Sequence, residues 1–169
     1  MKTRIIAGRF KNRTLFSVQS DKVRPTTSKV REAIFNILND SVEDAFFLDL
    51  FAGCGTVGFE ALSRGASFVV FVEKDKKNAF CIKKNQEALK AEEESLILFQ
   101  DAFSAVKKIS KRMQFSFVYI DPPYHYYDNP NFLKKLLSDF LKNHLLKEDA
   151  LIIVETPKEI NLENTFECF

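Results

Sequence analysis

Apolar residues along this chain recur in two alternating rhythms. Short, nearly continuous apolar runs at 46–51, 68–73, 95–100, 115–120 and 150–155 predict strands buried on both faces. Between them, stretches at 57–64, 76–91, 102–111 and 130–143 carry apolar residues at helical spacing and predict helices. Strand–helix alternation of this kind predicts an α/β fold, a mostly parallel sheet with helices on both faces. Ahead of it, short strands at 4–7 and 14–16 could pair across the turn at 8–13. Arg24-Pro25-Thr26-Thr27-Ser28 then precedes an apolar stripe at 30, 34, 37 and 38, the pattern of a capped amphipathic helix. The reading is a small N-terminal hairpin-and-helix extension over 1–40, followed by a main domain over 41–169.

Composition narrows the class. The 169 residues are 46% hydrophobic and 28% charged, with eighteen Phe and no Trp. One domain of this length buries roughly 68–70% of its unfolded surface. No apolar run approaches the ~20 residues of a membrane span, and the amino terminus lacks a signal-peptide core. Cysteines 54, 81 and 168 show no paired spacing and there are only two histidines. Neither a disulfide framework nor a metal site is expected, and a reducing, cytoplasmic setting fits. The net charge of +2 conceals an asymmetry: residues 1–31 hold nine basic and one acidic residue, and the remainder carries −6. Arg4, Arg9, Lys11 and Arg13 on a folded hairpin would form a basic arm suited to a phosphate backbone. Arg24 could reach a phosphate or a bound carboxylate. The competing reading is a solvated terminus, with Arg24 in an ordinary ion pair. The run Glu92-Glu93-Glu94 reads as a solvated turn.

Candidate chemistry gathers where the strands end. The run 46–51 leads into Ala52-Gly53-Cys54-Gly55-Thr56-Val57-Gly58, whose glycines allow a tight turn, close approach of a ligand, and packing of the next helix. Read as G-x-G-x-x-G this is a weak dinucleotide signal. Acids near it point instead to S-adenosylmethionine. Asp49 could hold the ligand's amino end, Glu73 could accept from two ribose hydroxyls, and Asp101 could receive the adenine amino group. The alternative is that each acid caps the helix that follows it. The cofactor-binding candidates are Asp49, Phe51, Ala52, Gly53, Gly55, Gly58, Glu73, Lys74, Asp101 and Ala102.

The run 115–120 ends in Asp121-Pro122-Pro123-Tyr124. Consecutive prolines stop the strand and stiffen the backbone. A carboxylate, an exposed Pro122 carbonyl and an aromatic face then suit a flat ring bearing an exocyclic amine. Such an amine is a poor nucleophile because its lone pair is conjugated. Accepting its hydrogens at Asp121 and Pro122 would turn the lone pair toward a methyl donor, and Tyr124 would stack on the ring. Asp121, Pro122, Pro123 and Tyr124 are the catalytic candidates, and the segment 125–130 could close over the base.

Taken together, Arg4-Ile-Ile-Ala-Gly8, Arg24-Pro-Thr26 with Val30-Arg-Glu-Ala33, Leu48-Asp-Leu-Phe-Ala-Gly-Cys-Gly55, Glu60-Ala-Leu-Ser-Arg-Gly-Ala66 and Asp121-Pro-Pro-Tyr124 resemble the RsmD family. These are bacterial 16S ribosomal RNA guanine-N2 methyltransferases that use S-adenosylmethionine. The resemblance runs from residue 4 to about residue 157. It implies a Rossmann-like class I methyltransferase fold, S-adenosyl-L-methionine as cofactor, and 16S rRNA or the small ribosomal subunit as partner of a monomeric enzyme. Two departures stand out. Cys54 replaces a Ser or Thr common in the family. The family's closing strand pair has no counterpart before Glu167-Cys168-Phe169, so the last strand is expected to be missing. The competing functions are a DNA adenine-N6 methyltransferase, a nicotinamide oxidoreductase using the same glycine loop, and a nonenzymatic RNA-binding assembly factor.

Overall fold

The computed structural model describes residues 3–18, 26–110 and 112–157. Arg24 and the closing segment 158–169 lie outside the described residues. Strands β1 (Thr3–Arg4) and β2 (Thr14–Leu15) precede helix α1 (Ser28–Leu38) and a 3₁₀ turn over Asn39–Val42. The main unit continues with β3 (Phe46–Leu50), α2 (Thr56–Ser63), β4 (Phe68–Glu73), α3 (Lys76–Leu89), β5 (Ser95–Phe99) and α4 (Ala102–Lys108). It closes with β6 (Phe115–Ile120), a 3₁₀ turn over Tyr124–Asp128, α5 (Phe132–Lys142) and β7 (Leu146–Val154).

The five long strands form one sheet in the order β5-β4-β3-β6-β7, and every pairing in it is parallel. The expected Rossmann-like architecture is therefore present. From β3 the chain winds outward through β4 to β5, then returns to the other side of β3 with β6 and β7. That reversal between β3 and β6 opens a crevice at the carboxyl ends of the strands, where ligands of such sheets sit.

Each sheet face has its own core. One holds Phe47, Phe59, Phe71, Ile82 and Tyr119, together with Ile5, Leu15, Phe35 and Leu38 from the extension. The other holds Leu50, Val72, Val106, Ile120, Phe132 and Phe140. The sheet strands Phe46–Leu50 and Phe68–Glu73 are buried on both faces, which explains their unbroken apolar sequence.

The extension folds as a hairpin and helix, with Thr3 opposite Leu15 and Arg4 opposite Thr14. It is strapped to α2. Glu60, fully buried, accepts from Ile6 N at 2.9 Å and Ala7 N at 3.0 Å. Ser63 O, one of the free carbonyls at the end of α2, accepts from Arg9 N at 2.7 Å. Buried Arg31 of α1 donates to Thr26 O and Arg4 O, each at 2.9 Å, and lies 4.0 Å from Glu60. With the extension over it, α2 is buried along its whole length.

The last described strand differs from expectation. It begins at Leu146 rather than 150, because the backbone of Lys147-Glu148-Asp149 extends while its polar side chains hide the apolar pattern. An irregularity between Phe115 and Phe117 lets Phe115 pair with Leu146 before the regular register starts at Leu151.

Candidate active site at the carboxyl rim of the sheet

The glycine loop follows β3 through Phe51, whose φ of 71° turns the chain sharply out of the strand. Phe51 N and Ala52 N still donate to Val72 O at 3.1 and 2.9 Å, which holds the loop against the end of β4. Gly58 lies in α2 where a Cβ would meet the Phe71 ring at 2.3 Å, so only glycine lets this helix pack on the sheet. Gly53 is the opposite case. A Cβ there would find nothing within 4 Å, so the loop backbone faces open space. Cys54 is tied down at its carbonyl by Asn85 Nδ2 at 3.0 Å and at its sulfur by Val18 N at 3.3 Å. A hydrogen bond with Cys81 holds the Cys54 thiol down at about 7.

Glu73 ends β4 at the mouth of the loop. Its two oxygens accept from Gly53 N at 2.8 Å and Asp75 N at 2.7 Å, and burial raises its carboxyl above the ordinary range. Asp49 lies inward of this rim. It is 1% exposed, and its Oδ2 accepts from Gly58 N at 2.9 Å. Burial pushes it up to about 7 against that hydrogen bond, with the charges of Asp121 and Glu73 adding to the effect. Through this bond Asp49 ties the end of β3 to the last glycine of the loop motif. Asp101 is exposed at the end of β5 and caps α4, accepting from Ser104 N at 3.1 Å, while Ala102 is buried behind it.

On the other side of β3, Asp121 N lies 3.5 Å from Leu50 O, which seats the Asp-Pro-Pro-Tyr turn beside the glycine loop. Burial raises the Asp121 carboxyl to about 7; Glu155 adds to this and a hydrogen bond from the Thr26 side chain opposes it. Pro122 is buried as a residue and Pro123 is exposed. Tyr126 N donates to Pro123 O at 2.9 Å, and Tyr124 is 76% exposed, a ring standing free at the rim. The segment after it forms a 3₁₀ turn that joins the two halves. Lys74 Nζ donates to Tyr126 Oη at 3.0 Å, and the Phe51 ring meets Tyr126 edge-on at 5.2 Å.

Several site residues were not picked out from the sequence. Glu155 follows β7 and accepts from Tyr119 Oη at 2.6 Å, and Tyr127 Oη donates to its carbonyl at 2.7 Å. Thr26 lies 3.5 Å from Tyr119 Oη. The signal for Glu155 was the one that found Glu73 and Asp121, an acid immediately after an apolar run. Thr26 belongs to the Arg24-Pro-Thr26 motif, but nothing in that motif points to Tyr119.

The hairpin presents Arg4, Arg9, Lys11 and Arg13 at the surface, with two of them engaged within the chain. Arg9 forms a bidentate pair with Glu94, one arm at 2.9 Å. Arg13 donates to Ala88 O at 2.7 Å. Glu94 is thus a fixed partner rather than one of a freely solvated run. Among the described residues, no group of three or more His, Cys, Asp or Glu is placed to hold a metal ion. No described helix is long and apolar enough to cross a membrane.

Comparison with known proteins agrees with this geometry. Residues 3–169 match the family model described as Conserved hypothetical protein 95. The chain is 40% identical over 157 residues to ribosomal RNA small subunit methyltransferase D of Haemophilus influenzae, covering 92% of this chain and 79% of that protein. It is 35% identical to the Escherichia coli protein of the same name, over 94% of this chain and 77% of that one. A solved Escherichia coli structure, named as a candidate methyltransferase, superposes with a TM-score of 0.81 at 34% identity, covering 94% and 83% of the two chains.

Proposed function

The chain belongs to the Conserved hypothetical protein 95 family, the RsmD methyltransferases. On that premise we propose that it transfers a methyl group from S-adenosyl-L-methionine to the exocyclic N2 amine of a guanine in 16S rRNA of the small ribosomal subunit. One observation carries the reading. The open glycine loop and the Asp-Pro-Pro-Tyr turn stand side by side on neighbouring strands, joined through Phe51, Lys74 and Tyr126.

The residues present fit the cofactor. Gly53 leaves its backbone open to a ligand, and Glu73 stands beside it with carboxylate oxygens oriented by two N–H groups. Phe51, Ala52, Gly55 and Gly58 shape the loop, Asp49 holds it to α2, and Lys74, Asp101 and Ala102 are assigned to the rest of the cofactor from their places after β4 and β5. S-adenosylmethionine, when bound, supplies an electrophilic methyl on a sulfonium.

The chain's own residues prepare the acceptor. Asp121 and the Pro122 carbonyl accept the two hydrogens of the amine, which frees its lone pair from conjugation with the ring. Pro122 and Pro123 keep these acceptors from relaxing away. Tyr124 stacks on a base drawn out of its neighbours. Positioning and preorganised acceptors thereby supply most of the rate. Asp121 takes the released proton, directly or through water. The exposed cations Arg4 and Lys11, with Arg9 and Arg13 on the same hairpin, contact the RNA phosphates, and Arg24 is assigned to the same role from its place in the sequence.

Asp121→Ala tests the reading. Calorimetric affinity for S-adenosylhomocysteine should stay within a few-fold, while N2-methylguanosine formation on small-subunit RNA falls at least about a hundredfold. Turnover at the wild-type rate would remove Asp121 from the mechanism. Methylation of adenine in duplex DNA by the wild type would replace the RNA reading altogether.

A further inference from the structure

Asp121 and Glu155 directly follow Ile120 and Val154, which are register partners on the adjacent parallel strands β6 and β7. Glu155 N donates to Ile120 O at 2.9 Å, so the pairing continues to the rim. The two acids are therefore neighbours along one edge, on strands separated by about 4.8 Å. Glu155 is held in place from both sides. Its Oε2 accepts from Tyr119 Oη at 2.6 Å, and its own carbonyl accepts from Tyr127 Oη at 2.7 Å. Among the described residues no donor reaches Oε1.

Two adjacent carboxylates select among bases by the order of donors along the pairing edge. Guanine presents its N2 amine next to N1–H, two neighbouring donors. Adenine and cytosine place a ring-nitrogen lone pair beside the amine, and uracil has no amine. A carboxylate facing a ring lone pair gains no hydrogen bond and is repelled. We propose that Glu155 is the residue that reads guanine, its Oε1 accepting N1–H while Asp121 holds the neighbouring 2-amino group. This assignment rests on the guanine-N2 reading above and names what makes the site refuse adenine. Glu155 forms no bond with the methyl and takes no proton. It determines specificity.

Replacing the target guanine by 2-aminopurine in a small-subunit RNA isolates this contact. The analogue keeps the 2-amino group and carries a lone pair at N1. The wild-type enzyme should lose about tenfold or more in kcat/KM on the exchange. Glu155→Gln keeps an oxygen for Tyr119 and offers an amide that can donate to N1. It should methylate guanine less well, and its preference for guanine over 2-aminopurine should shrink severalfold or reverse. Its affinity for S-adenosylhomocysteine should be unchanged. Equal wild-type rates on the two bases would overturn the assignment even if the variant did not fold. An undiminished preference in a folded Glu155→Gln with normal cofactor affinity would overturn it too, and would leave the methylation reading standing. Absence of N2-methylguanosine from the wild-type reaction on guanine RNA would remove that reading and this inference with it.

Discussion

Asp49 shows how strongly the end of a buried strand can change one acid. It is 1% exposed, and burial lifts its carboxyl from 3.8 to about 7. The folded chain then binds this proton more tightly than the unfolded chain does. The associated stability is fully present below the unfolded value and is lost as pH rises toward about 7. Asp49→Asn keeps an oxygen for Gly58 N and removes the charge. Thermal unfolding of the variant should depend less on pH than wild type between about pH 4 and about pH 8. At the upper end the variant should be more stable by roughly 1–3 kcal/mol. Parallel pH profiles for the two proteins would show that Asp49 carries no such cost. The role of Asp49 was half legible: an acid inside an apolar run is conspicuous, but its direction depends on where α2 packs.

At the scale of elements, α2 has the least freedom. It follows the loop, packs on Phe71 through Gly58, and receives the extension on its outer side. Glu60 collects Ile6 N, Ala7 N and Arg64 Nε with Arg31 nearby, all around a fully buried carboxylate. Removing that acceptor strands two N–H groups and leaves a buried guanidinium without its counter-charge. Glu60→Ala should cost about 3–5 kcal/mol, read as a fall in the urea midpoint. Loss below about 1 kcal/mol would mean that water replaces the carboxylate. In the sequence Glu60 is simply an acid in a helix. Of its partners only Arg64 is local; the two N–H groups of Ile6 and Ala7 lie more than fifty residues away, and nothing in the helix announces them.

For the molecule as a whole, the rim concentrates negative charge. Asp49, Glu73 and Asp121 each raise, or are raised by, another acid of the group, and Glu155 adds to Asp121. A bound sulfonium would favour the ionised forms, so a rising pH should favour its binding. S-adenosylhomocysteine lacks that positive charge. We predict that calorimetric affinity for S-adenosylmethionine rises several-fold between about pH 6 and about pH 8, while that for S-adenosylhomocysteine rises less. Identical pH dependence for the two ligands would mean that the rim acids do not sense the sulfonium.

The elements themselves were already present in the order of residues. Apolar runs terminated by glycines, prolines and acids mark where each strand stops, and a parallel sheet sends all those ends to one rim. The glycine loop, Glu73 and the Asp-Pro-Pro-Tyr turn were legible for that reason, since each is a local pattern. Glu155 beside Asp121, Thr26 beside Tyr119, the bond from Gly58 N to Asp49 and the pairing of Arg9 with Glu94 were decided by tertiary structure alone. Those contacts join residues on different strands or segments, and a linear pattern carries no information about which distant side chain will fill the space opposite.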